Sequence, residues 1–109
     1  MTPPEIAKKW LHAFNTKDLN ALLAIYDDNA VHFSPKLLVR RPETKGLVKG
    51  KEAMRDWWQD AFDRLPDLSY KEKTITANDS RVFMEYTRVV SNEPDMNVAE
   101  VLELENGLI

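Results

Sequence analysis

Apolar side chains recur at helical spacing through the first third of the chain and then change to alternation. After Pro3, Pro4 and Glu5, a plausible helix start, Ile6, Trp10, Ala13 and Phe14 form one stripe and predict a helix to about Asn15. Asp18 can cap a second helix in which Leu19, Leu22, Leu23 and Tyr26 keep three-to-four spacing, ending in the polar break Asp27 to Asn29. Val31, His32, Phe33 and Ser34 then alternate, predicting a short strand with Val31 and Phe33 on one face and His32 and Ser34 on the other. Lys36 to Gly50 carries Pro, Gly, Arg and Lys without clear period and reads as a long surface loop, with a short extended piece near Leu37 to Val39. Gly50 opens a third helix, KEAMRDWWQDAFDRL, with Met54, Trp58, Phe62 and Leu65 as its stripe.

Beyond Pro66 the period becomes two. Strands are expected at Leu68 to Ala77, Arg81 to Val90 and Met96 to Glu105, joined by the NDS and SNEPD turns, with a hairpin turn at Asn106 and Gly107. Helices followed by an antiparallel meander imply an α+β fold, with helices packed on one face of a sheet.

Composition narrows the function classes. With 109 residues, 43% hydrophobic and 30% charged, the chain fits one soluble globular domain. No apolar run approaches the roughly 18 residues of a membrane helix, and MTPPEIAKKW lacks the apolar core of a signal peptide, so a cytoplasmic protein without membrane contact is expected. The absence of cysteine excludes disulfides, thiolate nucleophiles and Cys-ligated zinc. Net charge is −3, and the basic cluster of Arg40, Arg41, Lys45, Lys49 and Lys51 has no interleaved aromatics, which speaks against nucleic acid as a partner. There is no Gly-rich phosphate loop, GxSxG or HExxH, and His12 and His32 alone would need carboxylate help to hold a metal; no metal site is expected.

FNTKDLNALLAIYDDNAVHFSP, a variable loop, GKEAMRDWW and a late strand ending LELENG follow one another in an order and spacing that resemble the nuclear transport factor 2-like superfamily, in its branch of SnoaL-like polyketide cyclases and ketosteroid isomerases. The resemblance implies a curved antiparallel sheet wrapped around three helices into a cone, a cystatin-like roll, with an apolar cavity between sheet and helices. It also implies a homodimer, since many members are dimeric. Where the isomerases place an aspartate base this chain has Ser34, and where they place a tyrosine on the first helix it has Trp10. Tyr26 keeps an aromatic, and Glu100 falls where those enzymes carry a carboxylic acid; that acid is the known case of a carboxyl held neutral to donate a hydrogen bond. The family runs on through a further strand after ENGLI, so an open edge along Met96 to Glu105 is expected to be completed by more chain or by a dimer partner.

Glu100 shares its face with Val98, Leu102 and Leu104, where an unpaired carboxylate would rise in pKa until neutral; the alternative is an ion pair with Arg88 or a lysine on the neighbouring strand. Alternation alone sends His32 to water, whereas the resemblance puts it and Ser34 on the cavity wall, where a histidine could act as base. Ser34 is otherwise a turn former before Pro35. Trp10, Phe14, Trp58, Phe62, Met84 and Tyr86 are core side chains or, by the resemblance, cavity lining, and only one of Trp57 and Trp58 can face inward. RRPETKG could hold an anionic ligand at a cavity mouth or be a solvated loop. The expected function is binding of a small, largely apolar molecule, with Glu100 as acid and His32 as base for cofactor-free isomerisation, cyclisation or dehydration; the alternative is a non-catalytic ligand-binding or dimerisation module.

Overall fold

Thr2 starts the first helix: its hydroxyl accepts the Glu5 amide, and α1 (Pro3–Thr16) follows with proline in the first turn, where no intrahelical donor is lost. The computed structural model describes every residue from 1 to 109. α1 buries Ile6, Ala7, Trp10, Leu11, Ala13 and Phe14, and Lys17 ends it in the left-handed region at φ 57°. Asp18 caps α2 (Leu19–Ala24) by accepting the Ala21 amide at 3.0 Å. α4 (Lys51–Arg64) buries Met54, Trp58 and Phe62, the expected stripe without its fourth member.

Residues 36 to 50 depart from the expected loop. Ser34 accepts the Leu37 amide at 3.3 Å and, with Pro35 at the first helical position, starts α3 (Pro35–Arg40), which buries Leu37. A single 3₁₀ turn (Pro42–Thr44) and a strand, β2 (Leu47–Lys49), complete the segment. β2 pairs antiparallel with β1 (Val31–Phe33), setting His32 opposite Val48. The piece near Leu37 to Val39 is therefore helical, because a Ser-Pro cap outweighs the β-leaning run Leu-Leu-Val behind it.

The meander is β3 (Ser69–Ala77), β4 (Arg81–Val89) and β5 (Met96–Glu103), antiparallel in that order. A bulge between Glu72 and Thr74 bends β3, and bulges of this kind increase local twist and curvature. The concave face carries Val82, Met84 and Tyr86, and α1 lies across β3 and β4 to close the core. Asn15 at the end of α1 reaches the outer edge of β3: its amide nitrogen donates to the Tyr70 carbonyl at 2.9 Å and its oxygen accepts the Tyr70 amide at 2.7 Å.

After β5, Asn106 (φ 54°) and Gly107 (φ 82°) make the expected tight turn, and Glu105 and Leu108 exchange backbone hydrogen bonds at 2.8 and 3.1 Å. Ile109 then donates to the Ile25 carbonyl at 3.0 Å and accepts the Asp27 amide at 2.8 Å. That arrangement lays the end of the chain beside the segment entering β1.

Candidate functional site

Between β1 and its lead-in on one side, and β5 with the residues after it on the other, runs a groove of about 1170 Å³. Tyr26, His32 and Glu100 all border it. They arrive from three elements, the end of α2, β1 and β5, so the site exists only once the sheet has curled toward the helices.

Glu100 lies opposite Met84 in the β4–β5 ladder, and Met84 is wholly buried. Val98 and Leu102 flank it along the strand on the same face, as alternation predicts. Its carboxylate makes no ion pair: Arg88, the expected partner, is taken by Glu93 at 3.0 Å. The one hydrogen bond to Glu100 comes from the Tyr86 hydroxyl, at 3.3 Å. Burial pushes the Glu100 carboxyl above its ordinary range, and the bond from Tyr86 offsets only part of this. A carboxyl kept protonated can donate a hydrogen bond as well as accept one.

His32 presents its ring edge-on to Trp58, 5.6 Å between centroids. Val31 and Phe33, on the other face of β1, are each 52% exposed, so the apolar pair faces out and the histidine faces in. Simple alternation favours the opposite assignment; it fails because β1 has only three residues and its inner face abuts an aromatic helix. Burial lowers the His32 pKa, which favours the neutral imidazole. Tyr26 is 2% exposed and accepts a hydrogen bond from the Trp10 indole at 2.9 Å. Burial raises its pKa, with the nearby Glu100 adding in the same sense, so its hydroxyl keeps its proton.

The other expected site residues lie elsewhere. Trp10, Phe14, Trp58, Phe62, Met84 and Tyr86 do not border the groove; they pack together beneath it as core. Phe14 sits at the centre of this floor, with ring centroids 4.3 Å from Trp10, 5.5 Å from Phe62 and 5.9 Å from Trp58. Trp58 is the inward member of the tryptophan pair and Trp57 packs only partly against the core. Ser34 is spent on the α3 cap, so its hydroxyl is committed to a backbone amide. Arg41 pairs with Glu43 at 2.9 Å away from the groove, whose one bordering cation is Arg81. No group of three potential metal ligands comes together.

Two further groups of residues complete the surroundings of the site. Tyr70 lies tilted against Tyr86, ring centroids 4.3 Å apart, and burial pushes the pKa of its hydroxyl up to about 12. Leu104, Glu105, Asn106, Leu108 and Ile109 border the groove because the Asn-Gly turn folds the chain back on itself. That turn was the only available signal, since it fixes a reversal without saying what the returning residues touch.

A family model described as a SnoaL-like domain matches residues 7–109. No curated protein matches the chain. Among solved structures, a SnoaL-like protein of unknown function from Burkholderia thailandensis superposes with a TM-score of 0.82 at 24% identity, over 95% of this chain and 84% of that one. A provisionally assigned polyketide cyclase of Sinorhizobium meliloti gives 0.80 at 14% identity, over 96% and 88%. A provisionally assigned ketosteroid isomerase of Kribbella flavida gives 0.75 at 15%, over 95% and 69%. At these identities the likeness is one of fold, the cone-shaped α+β roll of the nuclear transport factor 2-like superfamily.

Proposed function

This chain belongs to the SnoaL-like domain family, and from that premise we propose that its groove binds a small, largely apolar molecule bearing a carbonyl and moves a proton beside that carbonyl without a cofactor. The observation carrying this reading is Glu100: a carboxyl on the apolar concave face, held by one hydroxyl and no cation, with its pKa raised by burial. Such a group is a general acid or a hydrogen-bond donor to developing negative charge. His32, kept neutral by burial on the same groove, is the base. The Tyr26 hydroxyl is a second donor. Proton removal by His32, with the enolate oxygen stabilised by Glu100 and Tyr26, needs no bond beyond those a ketone already has.

A second reading, binding without chemistry, is favoured by Ser34, which is locked into a helix cap at the position where the isomerases carry their base. Deuterium incorporation α to the carbonyl of small cyclic ketones, followed by NMR, separates the two. The catalytic reading expects exchange above the buffer rate, falling about a hundredfold or more in His32→Ala and Glu100→Gln. Equal, background-level exchange in all three proteins would refute it and leave binding alone.

A further inference from the structure

The hydrogen bond from Trp10 to Tyr26 has a direction that cannot be reversed. An indole N–H donates and has no lone pair to accept with, so the 2.9 Å contact requires the Tyr26 oxygen to be the acceptor. The Tyr26 proton must then point elsewhere, and no group of the protein accepts it; the indole bond is the only one at that hydroxyl. Tyr26 borders the groove while Trp10 does not, and Glu100, whose charge acts on the Tyr26 hydroxyl, borders it too, so the groove side is where an acceptor for that proton would sit. Trp10 itself cannot turn away: it is 2% exposed, stacks on Tyr70 at 5.6 Å with 15° between planes, and lies against Phe14 on its own helix.

We infer that Trp10 is a positioning residue: by donating to the Tyr26 oxygen it turns the hydroxyl proton toward the groove, so the ligand atom seated there is an oxygen acceptor of carbonyl type. This rests on the groove being a ligand site. A tyrosine hydroxyl free on both sides can accept from an alcohol or amine as readily as donate to a ketone. With the indole on one lone pair and the proton left without a partner in the protein, it favours a group that accepts. The neighbouring Glu100, whose carboxyl burial pushes above its ordinary range, adds a second donor whenever it holds its proton. Acceptor selectivity in this site is therefore set partly by a residue that never touches the ligand.

Two matched probes test the inference: 2-acetylnaphthalene, and 2-isopropenylnaphthalene, in which a methylene replaces the carbonyl oxygen. Dissociation constants are measured for both on the wild type, Tyr26→Phe, Trp10→Phe and Glu100→Gln. A preference of about tenfold for the ketone is expected in the wild type, as one hydrogen bond would give. Tyr26→Phe should collapse it to about twofold or less, and Trp10→Phe, which keeps the ring and removes the donor, should reduce it at least threefold. Loosened packing weakens both probes together and leaves their ratio alone, so the ratio isolates the hydrogen bond. The carbonyl stretch of bound 2-acetylnaphthalene gives a second readout, shifted to lower wavenumber in the wild type and less so in Trp10→Phe. A ratio that collapses in Tyr26→Phe yet is unchanged in Trp10→Phe would overturn the positioning role alone. A ratio that survives Tyr26→Phe and falls only in Glu100→Gln would make the carboxyl the selective donor and overturn it too. Failure of both probes to bind would sink the ligand-site reading, and the inference with it.

Discussion

Replacing Glu100 with glutamine should stabilise the protein above pH 5 and change little near pH 4. Glutamine keeps the shape of the protonated acid and an oxygen for the Tyr86 hydroxyl, which sits 3.3 Å from the carboxyl. The native group has a raised pKa, from an ordinary value near 4.5, so between the two values the unfolded chain has lost its proton while the folded protein retains it. Folding then takes up a proton, and stability falls as pH rises from about 4.5 through the folded-state value. An ionised carboxylate with one long hydrogen bond and no cation is worse than a neutral amide in the same place by about 1–3 kcal/mol. For a chain of this size each kcal/mol moves the melting temperature by roughly 4 °C. Urea denaturation of both proteins at pH 4, 5.5, 7 and 8 reads the difference directly, with equal m values confirming that only stability has changed. The subtraction matters because His32 acts in the opposite sense: its lowered pKa gives stability present above about 6.5 and lost as pH falls, in both proteins alike. A stability difference that stays flat from pH 4 to pH 8, or a wild type more stable than the variant at pH 8, would refute burial of Glu100 as an uncompensated acid.

Further outcomes follow from packing and backbone geometry. Gly46→Ala puts a Cβ at a residue with φ +76°, 2.7 Å from Phe33 Cε2 and 3.0 Å from the Ser34 carbonyl oxygen; a loss of about 2 kcal/mol in urea denaturation is expected, and an unchanged midpoint would refute the strain. Met84→Ala should cost about 2–5 kcal/mol because the side chain is fully buried, across the ladder from Glu100. Met84→Leu should lose less than about 1.5 kcal/mol, and equal losses for the two would mean that the site collapses rather than leaving a cavity.

Periodicity located what repeats often enough to be seen. α1 and α4 each run for 14 residues, long enough for their stripes to stand out, and β3 to β5 alternate over eight or nine. The same alternation placed Glu100 on the concave face. It failed where elements are short: β1 and β2 have three residues each, too few for a period, and α3 is a six-residue helix set by a single Ser-Pro cap. His32 shows the limit most directly, since its orientation depends on Trp58, a residue 26 positions away that no local pattern mentions. The Trp10 to Tyr26 bond was equally hidden, because nothing in either helical stripe says which aromatic finds which polar tip across the helix pair.

Asn15 bears on how the molecule behaves in company. β3 is an outer strand, and its free backbone groups could template pairing with another chain. A primary amide can present an N–H and a C=O side by side, as the edge of a strand does, so Asn15 occupies the outward-facing amide and carbonyl of Tyr70 in place of a neighbouring strand. An added strand at that end of β3 would first have to displace these two bonds. Lys71 and Lys73 along the exposed remainder discourage it further. One polar side chain at the foot of a helix thus covers part of an outer strand that would otherwise be free to pair, at the edge of the sheet away from β5 and the groove.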